Sequence, residues 1–472
     1  MKVEQIYTGC LAQGAYYIES KGEVAIVDPL RETEPYIKKA KEDGAKIKYV
    51  LETHFHADFV SGHLDLAEKT GAKIVFGPNA TPEYKAHVAK DDEILELGDV
   101  KIKVLHTPGH TMESSTFLLI DEEGKETAIF SGDTLFIGDV GRPDLAVKTD
   151  LSREDLAGHL YESLHNKIMP LSDDIVVYPG HGAGSACGKN MSSETTDTLG
   201  NQKKNNYALQ EMSKEEFVKQ VTDGLVAPPQ YFPKNAVMNK KGYGSFDEVL
   251  EKGNVALNPD KFEAIVNNEG ALMLDVRNPE AFVQGHVPNS ISVGLEGSFA
   301  VWVGTLIPDL KQPVVLITDE GKEEEAVTRL SRVGYDNTLG YLEGGIEAWK
   351  KAGKEVDSIK SVNADEFASL FAENKLEEVV DVRKESEFYS QRIDHDKVKN
   401  IPLDFINDNM KDYNPDKETY LHCAGGYRSV ITASILKSRG IHNVVNIEGG
   451  FDAIKERDDV KTTDYVCPST ML

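Results

Sequence analysis

The sequence predicts an α/β protein of several domains, and three observations carry that prediction. About the first 250 residues alternate short apolar β-like runs with helical segments, and they hold every metal-capable motif of the chain. Beyond them a pattern of strand, Asp-Val-Arg and helix occurs twice, with Asp275 recurring as Asp381. At 472 residues the chain is also too long for one hydrophobic core, so two to four domains are expected.

Bulk charge excludes some functions. Lys and Arg total 52 against 79 Asp and Glu, a formal charge of −27. That disfavours nucleic acid and anionic membrane surfaces, both of which need basic patches. No run approaches the roughly 20 apolar residues of a membrane span, and Met1-Lys2-Val3-Glu4-Gln5-Ile6 lacks the apolar centre of a signal peptide. The four cysteines, at positions 10, 187, 423 and 467, show neither a CxxC pair nor disulfide spacing. A cytoplasmic, reducing setting is expected, with the cysteines available for chemistry.

The first chemical signal follows the apolar run 47–51. His54, His56 and Asp58 come at alternate positions, and in extended backbone residues two apart face the same way. Imidazole with carboxylate is a ligand set for zinc or non-haem iron. This stretch resembles the HxHxDH signature of the metallo-β-lactamase superfamily. Three later stretches resemble its other loops, each after a β-like run: His106-Thr107-Pro108-Gly109-His110, Ser131-Gly132-Asp133-Thr134, and Tyr178-Pro179-Gly180-His181. The resemblance implies an αββα sandwich, here assigned to residues 1–252 with a helical extension. Residues from about 201 to 250 turn polar and irregular, which reads as that extension followed by a crossover linker.

One position departs from the signature. Phe59 stands where the last histidine belongs. In the dinuclear hydrolases of the superfamily that histidine, the preceding Asp, the bridging Asp and the fourth-loop His hold the second metal. Phenylalanine cannot ligate, which argues for a single ion. The persulfide dioxygenases of the superfamily look like this. The likeness implies one Fe(II) per chain on His54, His110 and Asp133, with zinc there only by mis-metallation. His56, Asp58 and His181 would then orient ligands or hold water. Spacing alone leaves His56 open as a ligand.

The repeat resembles rhodanese domains, α/β units around a parallel sheet. Its marks are Asp275-Val276-Arg277 and Asp381-Val382-Arg383, then Glu343-Gly344-Gly345-Ile346 and Glu448-Gly449-Gly450-Phe451. The domains are placed at 253–356 and 357–472. In the second copy an expected strand leads into Cys423, followed by Ala424, Gly425, Gly426, Tyr427, Arg428 and Ser429, with a helix expected over 429–437. Amides of such a loop, with the helix N-terminus, cradle an anion and favour the thiolate. Arg428 is expected as the fixed cation. Phosphatase loops place five residues between Cys and Arg. Four intervene here, a smaller cradle suited to the outer sulfur of a cysteine persulfide.

The first copy has Asp319 at the expected cysteine position and acidic residues where Arg would stand, so it is expected to be catalytically silent, a spacer or docking surface. The second copy has Gln391-Arg392-Ile393-Asp394-His395 in place of the Gly285-His286-Val287-Pro288 stretch of the first. Cys187, just past the fourth metal loop, reads equally as a sulfur relay or an inert thiol. Cys10 reads as core, and Cys467 as the start of a mobile or docked tail, Pro468-Ser469-Thr470. Arg142 is expected to pair with Asp144 rather than to bind a substrate carboxylate.

The expected function is oxidation of a low-molecular-weight thiol persulfide, of glutathione, coenzyme A or bacillithiol type, by O2 to sulfite and thiol. Cys423 would transfer sulfur to form or use thiosulfate, and a homo-oligomer is plausible. The alternative enzyme is a dinuclear zinc thioester hydrolase of glyoxalase II type fused to a sulfurtransferase. A third reading is a sulfur-relay or redox-sensing protein with a structural metal.

Overall fold

A computed structural model describes residues 1–145, 151–225 and 227–467. The chain forms two compact units, Met1–Glu248 with Ser331–Gly334, and Val249–Leu330 with Tyr335–Leu472.

The first unit is built on two six-stranded sheets. One runs in the order Lys2–Thr8, Gln13–Ser20, Glu23–Val27, Lys46–Glu52, Lys73–Phe76, His87–Val88. Its second and third strands are joined by Lys21-Gly22, both at positive φ, the two-residue turn that matches strand twist. The other sheet runs Asp197–Thr198, Val176–Pro179, Glu126–Gly132, Ser115–Ile120, Val100–His106, Ile94–Leu97. Apolar residues of both inner faces interlock, among them Tyr16, Val27 and Leu51 from one sheet and Val104, Phe117 and Phe130 from the other. Helix Glu34–Glu42 covers the outer face of the first sheet through Tyr36 and Ala40. Helices Arg153–Ser163 and Lys214–Thr222 cover the second through Ala157, Leu160 and Phe217. This is the αββα sandwich expected.

The segment read as extension and crossover linker is largely helical: Leu199–Asn205, Lys214–Thr222, Phe232–Lys241 and Phe246–Gly253. Its polar residues had concealed its role. Asn239, on the third of these helices, is 1 % exposed. Its amide donates to the carbonyls of His56 and Phe59, each at 2.7 Å, and accepts from Ser61 N–H at 2.9 Å. The irregular metal-motif loop thus finds its missing backbone partners in a helix about 180 residues away.

The second unit holds two five-stranded parallel sheets of identical order. The first runs Ala256–Leu257, Thr338–Leu342, Val314–Ile317, Leu272–Asp275, Ile291–Ser292, and the second Lys360–Val362, Val444–Ile447, Thr419–His422, Glu378–Asp381, Val398–Asn400. The Asp-Val-Arg motif is structural in both. Arg277 pairs with Asp275 and donates to Gly285 O at 2.9 Å; Arg383 pairs with Asp381 and donates to Gln391 O at 2.8 Å. Each guanidinium closes the segment that follows the strand onto the strand end. In the first copy the helix starts at Pro259, before Phe262, because Asn258 caps it and proline suits the first turn.

Among the described residues no helix is long and apolar enough to cross a membrane. Arg383→Ala would leave the buried Asp381 carboxylate without its partner, and a destabilisation of about 3–5 kcal/mol is expected. Urea unfolding of the full chain, read by proteolytic release of residues from the second unit, measures it.

Candidate metal centre and sulfur-binding loop

Strand ends of the first unit deliver the metal-capable side chains to one buried place. His54 follows strand Lys46–Glu52, His110 sits between Val100–His106 and Ser115–Ile120, Asp133 follows Glu126–Gly132, and His181 follows Val176–Pro179. The ligand atoms of His54, His110 and Asp133 all lie within 4.8 Å of one another. Asp133 Oδ2 is 3.5 Å from His110 Nε2 and 4.0 Å from His54 Nε2.

Hydrogen bonds on the far side of each ring fix its tautomer. His110 Nδ1–H donates to Arg142 O at 2.8 Å, and His181 Nδ1–H donates to Ala12 O at 3.2 Å. Thr53 Oγ1 donates to Asp28 Oδ2, so it accepts from His54 Nδ1–H at 3.0 Å. All three imidazoles therefore present a bare Nε2 to the cluster. Burial, with three other imidazoles nearby, pushes His54 well below the usual histidine range, keeping it neutral and able to ligate. Neither oxygen of the buried Asp133 carboxylate has a hydrogen-bond partner among the described residues. Such an orphaned charge fits a cation, and two neutral nitrogens with one carboxylate suit Fe(II) or Zn(II).

His56 belongs to a different cluster. Its Nε2 is 3.0 Å from Asp28 Oδ1 and 3.7 Å from Glu52 Oε2. Burial alone would lower its pKa, but these carboxylates carry it up to about 9. The Phe59 ring packs on His56 with centroids 4.3 Å apart. Asp58 and His181 face each other at 3.3 Å, and the buried Cys187 joins them. Burial, then the Asp58 and Asp133 carboxylates, push the Cys187 thiol well above its usual range. Gly180 is required here, since a Cβ on it would lie 2.5 Å from Asp133 Oδ1.

Arg142 forms a two-pronged pair with Asp144, at 2.6 and 2.7 Å, and donates to Ala186 O. Cys10, expected in the core, is only half-buried, because it lies in the turn after the first strand. Cys467 is exposed, and residues 468–470 of its tail lie outside the described residues.

In the second unit, Cys423 follows strand Thr419–His422, and its Sγ accepts from Gly426 N–H at 3.1 Å. The helix begins at Tyr427 rather than 429, because Gly426, at φ +103, turns the chain into it. Ser429 Oγ lies 3.8 Å from Sγ and is held by Asn446 Oδ1. Gly450 explains the second glycine of its motif, as a Cβ there would meet Cys423 O at 2.5 Å. Arg428, expected as the fixed cation, is itself paired. Its guanidinium grips both oxygens of Glu387, at 2.6 and 2.8 Å. Burial alone would raise Glu387, but Arg428 holds its carboxyl below the usual range. A partly buried guanidinium needs such a counter-ion.

Sheet register corrects the comparison of the two copies. Asp275 pairs with Ile317 as Asp381 pairs with His422, so Thr318, not Asp319, stands at the position of Cys423. Glu323 then matches Arg428. The first copy is more than a spacer, too. Its Gly297, Ser298 and Trp302 help to line the cavity of about 480 Å³ beside Cys423, together with Lys384 and Arg428 of the second copy. Tyr427 Oη bonds across to Gly294 O at 2.8 Å. Neither this wall nor the Asn239 clamp has a local sequence signature.

A two-sheet sandwich with a buried His and Asp cluster in the first unit, and two parallel sheets in the second, define a metalloprotein of composite type. The metallo-beta-lactamase superfamily matches residues 8–181, and the rhodanese-like domain matches residues 258–352 and 363–457. The chain belongs to the metallo-beta-lactamase superfamily and carries two rhodanese-like domains. It is 30% identical over 212 residues to hydroxyacylglutathione hydrolase GloC of Haemophilus influenzae, covering 40% of this chain and 94% of that protein. It is 30% identical over 208 residues to persulfide dioxygenase ETHE1, mitochondrial, of Mus musculus, covering 44% of this chain and 73% of that protein. With a probable hydroxyacylglutathione hydrolase of Schizosaccharomyces pombe it shares 33% identity over 166 residues, 34% of this chain, and spans 60% of that relative's length. The crystal structure of a metallo-beta-lactamase from Staphylococcus aureus subsp. aureus COL superposes with TM-score 0.64 at 32% identity, over 73% of this chain and 98% of that one.

Gly180→Ala is expected to displace the Asp133 carboxylate and to lower the metal content of the purified chain at least about tenfold. Elemental analysis measures this, with circular dichroism to verify the fold.

Proposed function

We propose that the chain is an Fe(II)-dependent persulfide dioxygenase joined to a sulfurtransferase. It would convert R-S-SH, O2 and water to R-SH and sulfite. The observation that carries the choice over thioester hydrolysis is Phe59, an apolar ring packed on His56 where the dinuclear hydrolases of the superfamily have a nitrogen ligand. His54, His110 and Asp133 would hold the ion, each imidazole kept in the ligating tautomer by Thr53, Arg142 O or neighbouring groups. Iron bound there would supply the redox chemistry with O2, leaving positions open for substrate. The chain's own contribution is orientation in a buried pocket, with the fully buried rings of Phe59 and Phe136 packed beside His56 and His181.

At Cys423 the thiolate takes a sulfane sulfur from a donor, breaking the donor's S–S bond and forming Cys423-S-S⁻. Gly426 N–H and its neighbours hold the negative charge. Sulfite then attacks the outer sulfur, giving thiosulfate and restoring the thiolate. Arg428, held by Glu387, lines the same cavity as Cys423. Thr318 has a hydroxyl, which carries no sulfane sulfur, so the first copy would perform no transfer. A low-molecular-weight thiol such as glutathione, coenzyme A or bacillithiol would carry the persulfide.

The relatives named as hydroxyacylglutathione hydrolases favour a second reading, a dinuclear zinc thioester hydrolase. Anaerobically purified full chain given thiol persulfides decides between them. O2 uptake with one sulfite released per persulfide, lost in His110→Ala, is the expected result. Thioester hydrolysis without O2 uptake sinks the dioxygenase. Cys423→Ser should abolish transfer from thiosulfate to thiols while leaving O2 uptake on a ready-made persulfide intact. Loss of both activities together would overturn the division into two sites.

A further inference from the structure

Cys423 is 1 % exposed, and Gly426 N–H already bonds its sulfur. A donor must therefore bring its outer sulfur in through the cavity of about 480 Å³ that Cys423 helps to line. Volumes of about 300–1,000 Å³ suit small organic ligands, and a bare inorganic ion such as thiosulfate fills only part of this one. The space over the loop is open, since a Cβ on Gly425 would meet nothing within 4 Å.

We propose that this cavity takes the persulfide of an anionic low-molecular-weight thiol, with Lys384 binding the carrier's carboxylate or phosphate and Trp302 packing on its body. Charge favours such a ligand. The charged side chains lining the cavity are two cations, Lys384 and Arg428, and one carboxylate, Glu387. Arg428 is spent on Glu387, both of whose oxygens it holds. Lys384 is exposed and makes no ion pair among the described residues. One positive charge is thus left over, in a chain that carries −27 overall, and it attracts an anion.

Trp302 comes from the first copy. Its helix, Phe299–Leu306, buries Phe299 and Val303, while the indole lines the cavity. An indole offers a broad apolar face with one polar handle, which suits the mixed body of a thiol carrier. Recognition is therefore composite, with the cation from one copy and the aromatic face from the other.

The thiolate of Cys423 attacks the outer sulfur of R-S-SH. A new S–S bond forms at Sγ, the carrier's S–S bond breaks, and its electron pair leaves on the carrier sulfur. That sulfur takes the proton and departs as R-SH, leaving Cys423-S-S⁻, so no oxidant or reductant enters. Resting on the reading of Cys423 as a sulfur acceptor, the assignment narrows its donor to one class.

The test uses the full chain without O2 and reads sulfur on the Cys423 peptide by mass spectrometry. Glutathione persulfide is the anionic donor, 2-mercaptoethanol persulfide the uncharged one, and thiosulfate the inorganic one. Glutathione persulfide should load Cys423 faster than 2-mercaptoethanol persulfide does, and Lys384→Gln should cut that preference about fivefold, through KM. Lys384→Arg should restore the preference, and added salt should narrow it. Lys360, an exposed residue paired with Glu418, serves as control, and Lys360→Gln should leave the preference unchanged. Trp302→Ala should cut the preference for glutathione persulfide over thiosulfate about tenfold, with Trp302→Phe recovering most of it. Circular dichroism verifies the fold of each variant. A preference unmoved by Lys384→Gln or by Trp302→Ala, or faster loading from thiosulfate than from either persulfide, overturns the donor class alone. Sulfur on Cys423 from none of the three donors overturns the sulfurtransferase reading with it.

Discussion

The first unit is organised around a buried carboxylate. Asp133 lies at a strand end, and neither of its oxygens has a hydrogen-bond partner among the described residues. Many local features follow from holding it so. Gly180 has no side chain because the carboxylate passes too close. His110 and His181 donate backwards to main-chain carbonyls so that their Nε2 atoms face it. The loop that brings His54 is irregular, and Asn239 and Tyr243 supply the partners its backbone lacks. An uncompensated buried charge is expensive in any apo state. The two sheets, interlocked through Phe117 and Phe130, are what keep the surroundings from collapsing onto it.

The sequence was most informative where chemistry is local. Alternating ligands after an apolar strand, and a cysteine opening a glycine-rich loop, carry their meaning within ten residues. The αββα sandwich and the parallel sheets were legible because each recognised motif fixes a strand end. What was hidden depends on distance along the chain. Nothing near Asn239 announces that it serves His56 and Phe59. Glu387 pairs with Arg428 from 41 residues away, so the loop alone did not name the partner of its cation. The one-residue slip that named Asp319 instead of Thr318 arose because only strand pairing sets register. Polar composition between 201 and 250 suggested a linker, yet those amides and hydroxyls are turned inward as partners for main chain.

The two rhodanese-like copies share a scaffold and differ in the loop after the third sheet strand. Both keep the same strand order and the same Asp-to-Arg brace at the end of the second strand. Both keep a glycine at positive φ before the helix, Gly321 in one and Gly426 in the other. The contrast is confined to side chains on that loop: threonine against cysteine, glutamate against arginine. Scaffold and loop chemistry are specified by different residues, and the scaffold is kept in both copies.

The kept scaffold of the first copy also faces its neighbour, because Gly297, Ser298 and Trp302 line the cavity beside Cys423. The two copies thus share one surface although each has its own sheet. Deleting the first copy would take from the rim of the Cys423 cavity every residue that copy contributes, and leave the second copy's sheet whole.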